Sequence, residues 1–302
     1  MLDGHLPFGG KGCGSWRMKK FLLMATFLTL TLCSGMAGAS EVSSPSLHRL
    51  LTLSGIHDLV AEFPGMLRER MEQTRQRDRF IPSHPSMSDD EYRELEKTMA
   101  DAFKPSDILR VIGKQVAHSI SEQDAEKMLA WYDSALGRKI SKAEEESSTP
   151  EASRGMHSAV HLLHDKPRVL FAMKLDKLLH MTDMSMQFQI NAEVAAFVAF
   201  STKMNKRRPA NLKALRNRIA AGMQKQRYKV RREVILSTVY TYRKIDMDSL
   251  EKYRAFLQSP SALRFNKALM TGMDAGMTEA TNRMAGSVES LFRQKQKDVQ
   301  RI

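Results

Sequence analysis

Between Pro260 and Arg293 the residues Leu263, Met270, Met277, Met284 and Leu291 stand at seven-residue intervals with Met273 beside them. Such spacing fits one face of a helix and no strand, and it describes a packing seam along a helix ~50 Å long at ~1.5 Å per residue. A seam of that length needs a covering surface. The sequence offers two, the remaining helices of the same half or a second copy of the chain, so a homo-oligomer through the C-terminal helix is one expectation. Gly272 and Gly276 would let another helix approach closely at one point.

The rest of the chain from Ser46 onward repeats this texture, with apolar residues at helical spacing and no clean strand alternation, so the fold class is all-α. Helix starts are marked. Ser88-Asp89-Asp90-Glu91 is a capping box, Pro105-Ser106 and Ser121 to Asp124 precede apolar-periodic stretches, and Asp246 and Ser259-Pro260 open two more. Lys142 to Pro150 has no apolar face and is expected to be a linker.

The N-terminal region carries a different signal. Met18-Lys19-Lys20, the apolar run Phe21 to Leu32 and Ala37-Gly38-Ala39 before Ser40 form the three regions of a secretory signal, too short to span a bilayer. Residues 1–17 precede Met18 and read as a start-site extension, leaving a mature chain from Ser40, exported to the periplasm or beyond. Leu32 before Cys33 disfavours a lipoprotein signal, which wants a small residue there. Cys13 and Cys33 both precede the cut, so the mature chain has no disulfide, thiol nucleophile or thiolate metal site.

Self-comparison points to a duplicated helical bundle of two homologous halves. Leu47, Leu50, Leu51 and Leu53 align with Leu175, Leu178, Leu179 and Met181 at an offset of 128, and the run Glu126 to Ser134 aligns with Glu251 to Ser259 at 125. Trp131 and Ser134 then match Phe256 and Ser259. The expected organisation is a first copy over 40–141, a linker with a His-containing helix over 142–166, and a second copy over 167–302 that ends in the long helix.

An aromatic, two intervening positions, Ser, a small residue or Pro, and a basic residue a few positions on recur in Trp131 to Lys139 and Phe256 to Lys267. With the secretory signal, the helical texture and Ser134-Ala135-Leu136-Gly137-Arg138-Lys139, this pattern resembles the bacterial secreted family catalogued as domain of unknown function 2059. The second copy departs from it by Ala262 in place of Gly137. The resemblance covers the two helical hairpins and implies an all-α exported protein. That family carries no established activity, so it assigns no catalytic residue.

Two groups of side chains could hold metal. His157, His161 and His164 lie at i, i+4 and i+7 on an expected helix, and His180, Met181, Met184 and Met186 combine imidazole with thioethers suited to Cu(I). The competing explanations are a partly exposed histidine face and methionine as core filler. No His-Glu-x-x-His motif, Gly-rich phosphate loop or nucleophile elbow occurs, so an enzyme is disfavoured and no cofactor is expected.

Charge is the most local property of the chain. Its net charge is +13, of which residues 1–39 hold +3. Lys203, Lys206, Arg207, Arg208, Lys213, Arg216, Arg218, Lys225, Arg227, Lys229, Arg231 and Arg232 fall in one segment without Asp or Glu. Pro209 suits a first helical turn, and Leu212, Leu215, Ile219 and Met223, continued by Ile235, Val239 and Tyr242, give an amphipathic helix or helix pair. Such an element suits an anionic membrane or lipopolysaccharide surface, or an acidic envelope protein. Nucleic acid is disfavoured, since only Tyr228 is interleaved for stacking. A solvated face without a partner is the plain alternative.

Overall fold

The computed structural model describes residues 42–78, 88–205 and 212–299. The signal segment and its leader lie outside these residues. Among the described residues the chain is built of α-helices: α1 (Ser44–Leu53), α2 (Ile56–Asp78), α3 (Asp89–Ala102), α4 (Pro105–Ala117), α5 (Glu122–Tyr132), α6 (Ala135–Ser147), α7 (Pro150–Ser158), a 3-10 turn (Val160–His164), α8 (Lys166–Leu179), α9 (Met181–Asn205), α10 (Leu212–Gln224), α11 (Arg227–Thr241), α12 (Met247–Leu257) and α13 (Pro260–Val299). The all-α fold class therefore stands.

Local chemistry sets most helix starts. Ser88 and Ser121 form reciprocal capping boxes with Glu91 and Asp124, and Asp246 accepts from the Ser249 backbone N–H at 2.8 Å. Each satisfies an amide that the first helical turn leaves unpaired. Ser134 and Ser259 act alike, their hydroxyls accepting from the Gly137 and Ala262 amides at 2.9 and 3.3 Å. At α4 it is Pro105 that occupies the first turn, and no side chain caps it.

Three expectations change. Lys142 to Ser147 are the last turns of α6, not a linker, and Glu144 is buried within them. The seven-residue seam of α13 does not hold as one buried line: Leu263 is exposed and Met270 half-buried, whereas Ala262, Phe265, Leu269, Met273, Met277, Ala280, Met284 and Val288 are buried. A straight helix at 3.6 residues per turn drifts by about 20° each heptad, so its inward face cannot keep a strict period of seven. The offset of 128 does not follow the helix boundaries, since it matches Leu53, the last residue of α1, with Met181, the first of α9.

A spacing of 125 recurs instead. The left-handed residues Gly55 (φ 67°) and His180 (φ 52°), which end α1 and α8, are 125 apart, and α12 repeats α5 at both ends with the same interval. Phe63 on α2 and Phe188 on α9, 125 apart, bring their rings to 5.8 Å, and Trp131 lies parallel to Phe256 at 5.3 Å. Lys139 on α6 pairs with Asp246 at the start of α12 (3.0 Å), while Arg264, 125 residues later on α13, pairs with Asp124 at the start of α5 (2.5 Å). A three-residue shift is close to one helical turn, so leucine meets leucine at an offset of 128 as well as at 125.

One continuous core runs from Val42 to Val288 and draws on both halves. The long helix α13 is covered from within the chain, along α4, α9 and α3. Its close approach to α4 depends on Gly272, where an added Cβ would stand 2.8 Å from Ile112 Cα, and on Gly276, where it would stand 3.1 Å from Ile108 Cγ2. The shorter α6 has no such length. There the chain turns into α7 and the 3-10 turn, and both lie against α11.

Asp124 is buried, and desolvation works against its charge, but hydrogen bonds from Arg264, Ser261 and the Ser121 amide hold its carboxyl far below the usual range. Asp124→Asn is expected to lower stability at pH 7 by about 1–3 kcal/mol in chemical denaturation. Because the folded-state value is depressed, this contribution is present above the unfolded value of about 3.9 and is lost as pH falls below it. The difference between wild type and variant should accordingly narrow below pH ~4.

Candidate functional site

The basic segment folds as two helices rather than one, separated at Lys225 and Gln226. Leu215 and Ile219 seat α10 against Ile190, Val194 and Val198 of α9 and Ala285 of α13. Val230 and Val234 seat α11 in the main core, and further along it Ile235 and Val239 pack on Ala172 of α8, with Leu162, Leu163 and Val169 around them. With these apolar faces turned inward, the remaining surfaces carry the cations.

The cations divide into two sets. Arg216, Arg227 and Arg231 are tied down. Arg216 donates to Asn191 Oδ1 at 2.5 Å and to Asp274 Oδ1 at 3.2 Å, Arg227 pairs with Asp183 at 2.5 Å and reaches Met186 Sδ at 3.6 Å, and Arg231 pairs with the buried Asp176 at 3.4 Å. Asp176 also accepts from the Thr182 amide at 2.7 Å, so Arg231 joins α11 to the α8–α9 corner. Desolvation works to raise Asp183, yet the hydrogen bond and charge of Arg227, aided by His180, hold its carboxyl below the usual range.

Lys213, Arg218, Lys225, Lys229 and Arg232 are exposed and make no ion pair with any described residue. Tyr228 stands among the last three with 70% of its surface open. The acid that follows, Glu233, is raised by desolvation, partly offset by His157, Arg232 and Lys229. Lys206, Arg207, Arg208 and Pro209 lie outside the described residues, and the side chain of Lys203 is likewise not described.

The histidines do not share the single helix expected of them. His157 lies in the last turn of α7 with its Nδ1 at 2.7 Å from the Ser153 carbonyl oxygen, and Ala159 caps that helix, so His161 and His164 belong to the 3-10 turn. The i, i+4, i+7 alignment is broken by that change of helix type. His180 is exposed in a left-handed conformation and faces Asp183 at 3.4 Å, whereas Met181, Met184 and Met186 are buried. Among the described residues no group of three or more His, Cys, Asp and Glu gathers as a metal site.

The repeated aromatics fill the core. Trp131 stacks on Phe256 and, at 5.7 Å, on Tyr253, and the Glu144 carboxylate accepts from Tyr242 Oη at 2.5 Å and Tyr253 Oη at 3.1 Å. Burial and the nearby Glu144 push all three phenols, Tyr132, Tyr242 and Tyr253, far above their ordinary range. Sequence periodicity missed this cluster because its centre is a carboxylate. It also missed the exposed Leu170 and Met173 on α8.

No described helix is long and apolar enough to cross a membrane. Comparison with family models, curated proteins and solved structures finds no match. The chemistry of the surface must therefore be read from its own residues.

The two sets of cations should separate by mutation. Replacing Arg216 or Arg231 singly by Ala is expected to lower stability by about 0.5–2 kcal/mol in urea titration, since each leaves a buried acceptor behind, Asn191 or Asp176, while Arg227→Ala, whose partner Asp183 is exposed, should cost only about 0.2–1 kcal/mol. The same change at Lys213, Arg218, Lys225, Lys229 or Arg232 should stay within about 0.5 kcal/mol.

Proposed function

We propose that this chain is an exported, non-enzymatic envelope protein that uses the basic face of α10 and α11 to bind an anionic surface. One observation carries the proposal: Lys213, Arg218, Lys225, Lys229 and Arg232 are exposed on two successive helices and the turn between them and make no ion pair with a described residue. A fold spends little stability on such charges, whereas a polyanion gains from meeting several at once, at about 1 kcal/mol per Lys or Arg near an anionic lipid surface. The secretory signal read in residues 18–39 and the likeness of the Trp131 to Lys139 pattern to domain of unknown function 2059 support an envelope setting. We further read the chain as a tandem duplication with a period of 125, on the strength of the matched helix ends, the two left-handed corners and the crossed Lys139–Asp246 and Arg264–Asp124 pairs.

Vesicle sedimentation tests the functional reading. Vesicles rich in phosphatidylglycerol should retain the protein at low salt and release it as ionic strength rises toward 0.5 M, while phosphatidylcholine vesicles should not retain it. Lys225→Gln, Lys229→Gln and Arg232→Gln together should weaken retention about tenfold or more, with unchanged helical content by circular dichroism. Absence of retention on anionic vesicles at low salt would reject the proposal.

A further inference from the structure

Six large apolar side chains are exposed among the described residues, and four of them, Val160, Leu170, Met173 and Tyr228, belong to the 3-10 turn, α8 and α11. These three elements pack on one another pairwise. Ala172, Ile235 and Val239 join α8 to α11 beneath the surface, and the Arg231–Asp176 pair clamps the N-terminal half of α11 to the same helix. On α8 the residues Lys166, Leu170, Met173 and Lys177 are all exposed at i, i+4, i+7 and i+11, which places them along one outward line of the helix. Lys166 and Lys177 make no ion pair with a described residue, in keeping with Lys229 and Arg232 on the neighbouring helix.

Here basic heads and apolar bodies alternate on a surface that solvent reaches freely. On the inner side of α8 the fold buries residues of the same type: Leu175 and Leu179 are 0% and 5% exposed, against 56% for Leu170. The exposed tyrosine is the most telling of the group, because a phenol offers an apolar ring and a polar tip that match the boundary between lipid headgroups and acyl chains. Apolar residues set singly between cations on helix crests do not form a groove for a partner helix. They suit a fluid surface that yields around each side chain.

Resting on the functional reading above, we propose that the α8–α11 sector is the docking surface and that its occupant is an anionic phospholipid bilayer, with Tyr228, Leu170 and Met173 entering the headgroup zone while Lys166, Lys177, Lys229 and Arg232 pair with phosphates. Both the positive charge and the exposed apolar groups are then used, and α8 joins the site alongside the basic segment.

The test uses the full chain carrying Tyr228→Trp, with the wild-type spectrum subtracted to remove the emission of Trp16 and of Trp131, the latter buried at 1% exposure. Adding phosphatidylglycerol vesicles should shift the emission of the new indole to the blue, and lipids brominated near the headgroup should quench it. A second variant, Leu170→Ser with Met173→Ser, removes exposed groups only and should weaken vesicle retention about tenfold without altering the thermal midpoint by more than a few degrees. Retention without blue shift or quenching would overturn the insertion and leave the electrostatic reading standing. Absence of retention at low salt would overturn both. A blue shift with soluble polyglutamate and not with vesicles would overturn the bilayer as occupant and assign the surface to an acidic polypeptide.

Discussion

The rest of the structure depends on the way Trp131 is held. Its indole lies parallel to the rings of Tyr253 and Phe256, with 12° between planes in both cases, and so fastens α5 to α12 across the middle of the chain. Rings of this size bury large apolar areas and set relative orientation as well as distance. Beside the stack, Glu144 receives the hydroxyls of Tyr242 and Tyr253 and thereby draws α6, α11 and α12 together. A lone buried carboxylate would be costly, and two phenol donors offset that cost while defining one arrangement of three helices.

Fixing α11 from the inside decides what it presents outside. Tyr242, Val234 and Val230 face the core, Arg227 and Arg231 reach sideways to Asp183 and Asp176, and the cations left over face solvent beside Tyr228. The net charge of +13 is thus unevenly distributed: some of the basic segment serves internal pairing, and a smaller set faces solvent. Because α6 stops early, the 3-10 turn and α7 cover the C-terminal part of α11, while its first turns stay open.

Much of the fold was legible in the sequence. Apolar residues at helical spacing gave the all-α class, and short-range capping chemistry marked Ser88, Ser121, Asp246 and Ser259, since a cap needs only a hydroxyl or carboxylate three residues before an amide. Position-sensitive inferences fared less well for physical reasons. The helical period lets leucines match after a three-residue shift, so leucine spacing alone does not choose between offsets of 128 and 125, whereas the left-handed corners at Gly55 and His180 stand 125 apart. Glu144 looked like linker because its partners lie about a hundred residues away. For the candidate site, composition identified the segment but could not sort Arg216, Arg227 and Arg231, whose acids come from α8, α9 and α13, from the cations left outward.

In the proposed mode of binding a single outward sector meets an anionic surface while the stacked core stays as it is. Hydrogen–deuterium exchange of the full chain with and without phosphatidylglycerol vesicles tests it most directly, because exchange reports opening and solvent access segment by segment. Slowed exchange is expected in α8 and the first turns of α11, with α5 and α12 around Trp131 unchanged. Protection centred on α2 to α4, or no change anywhere on binding, would contradict it.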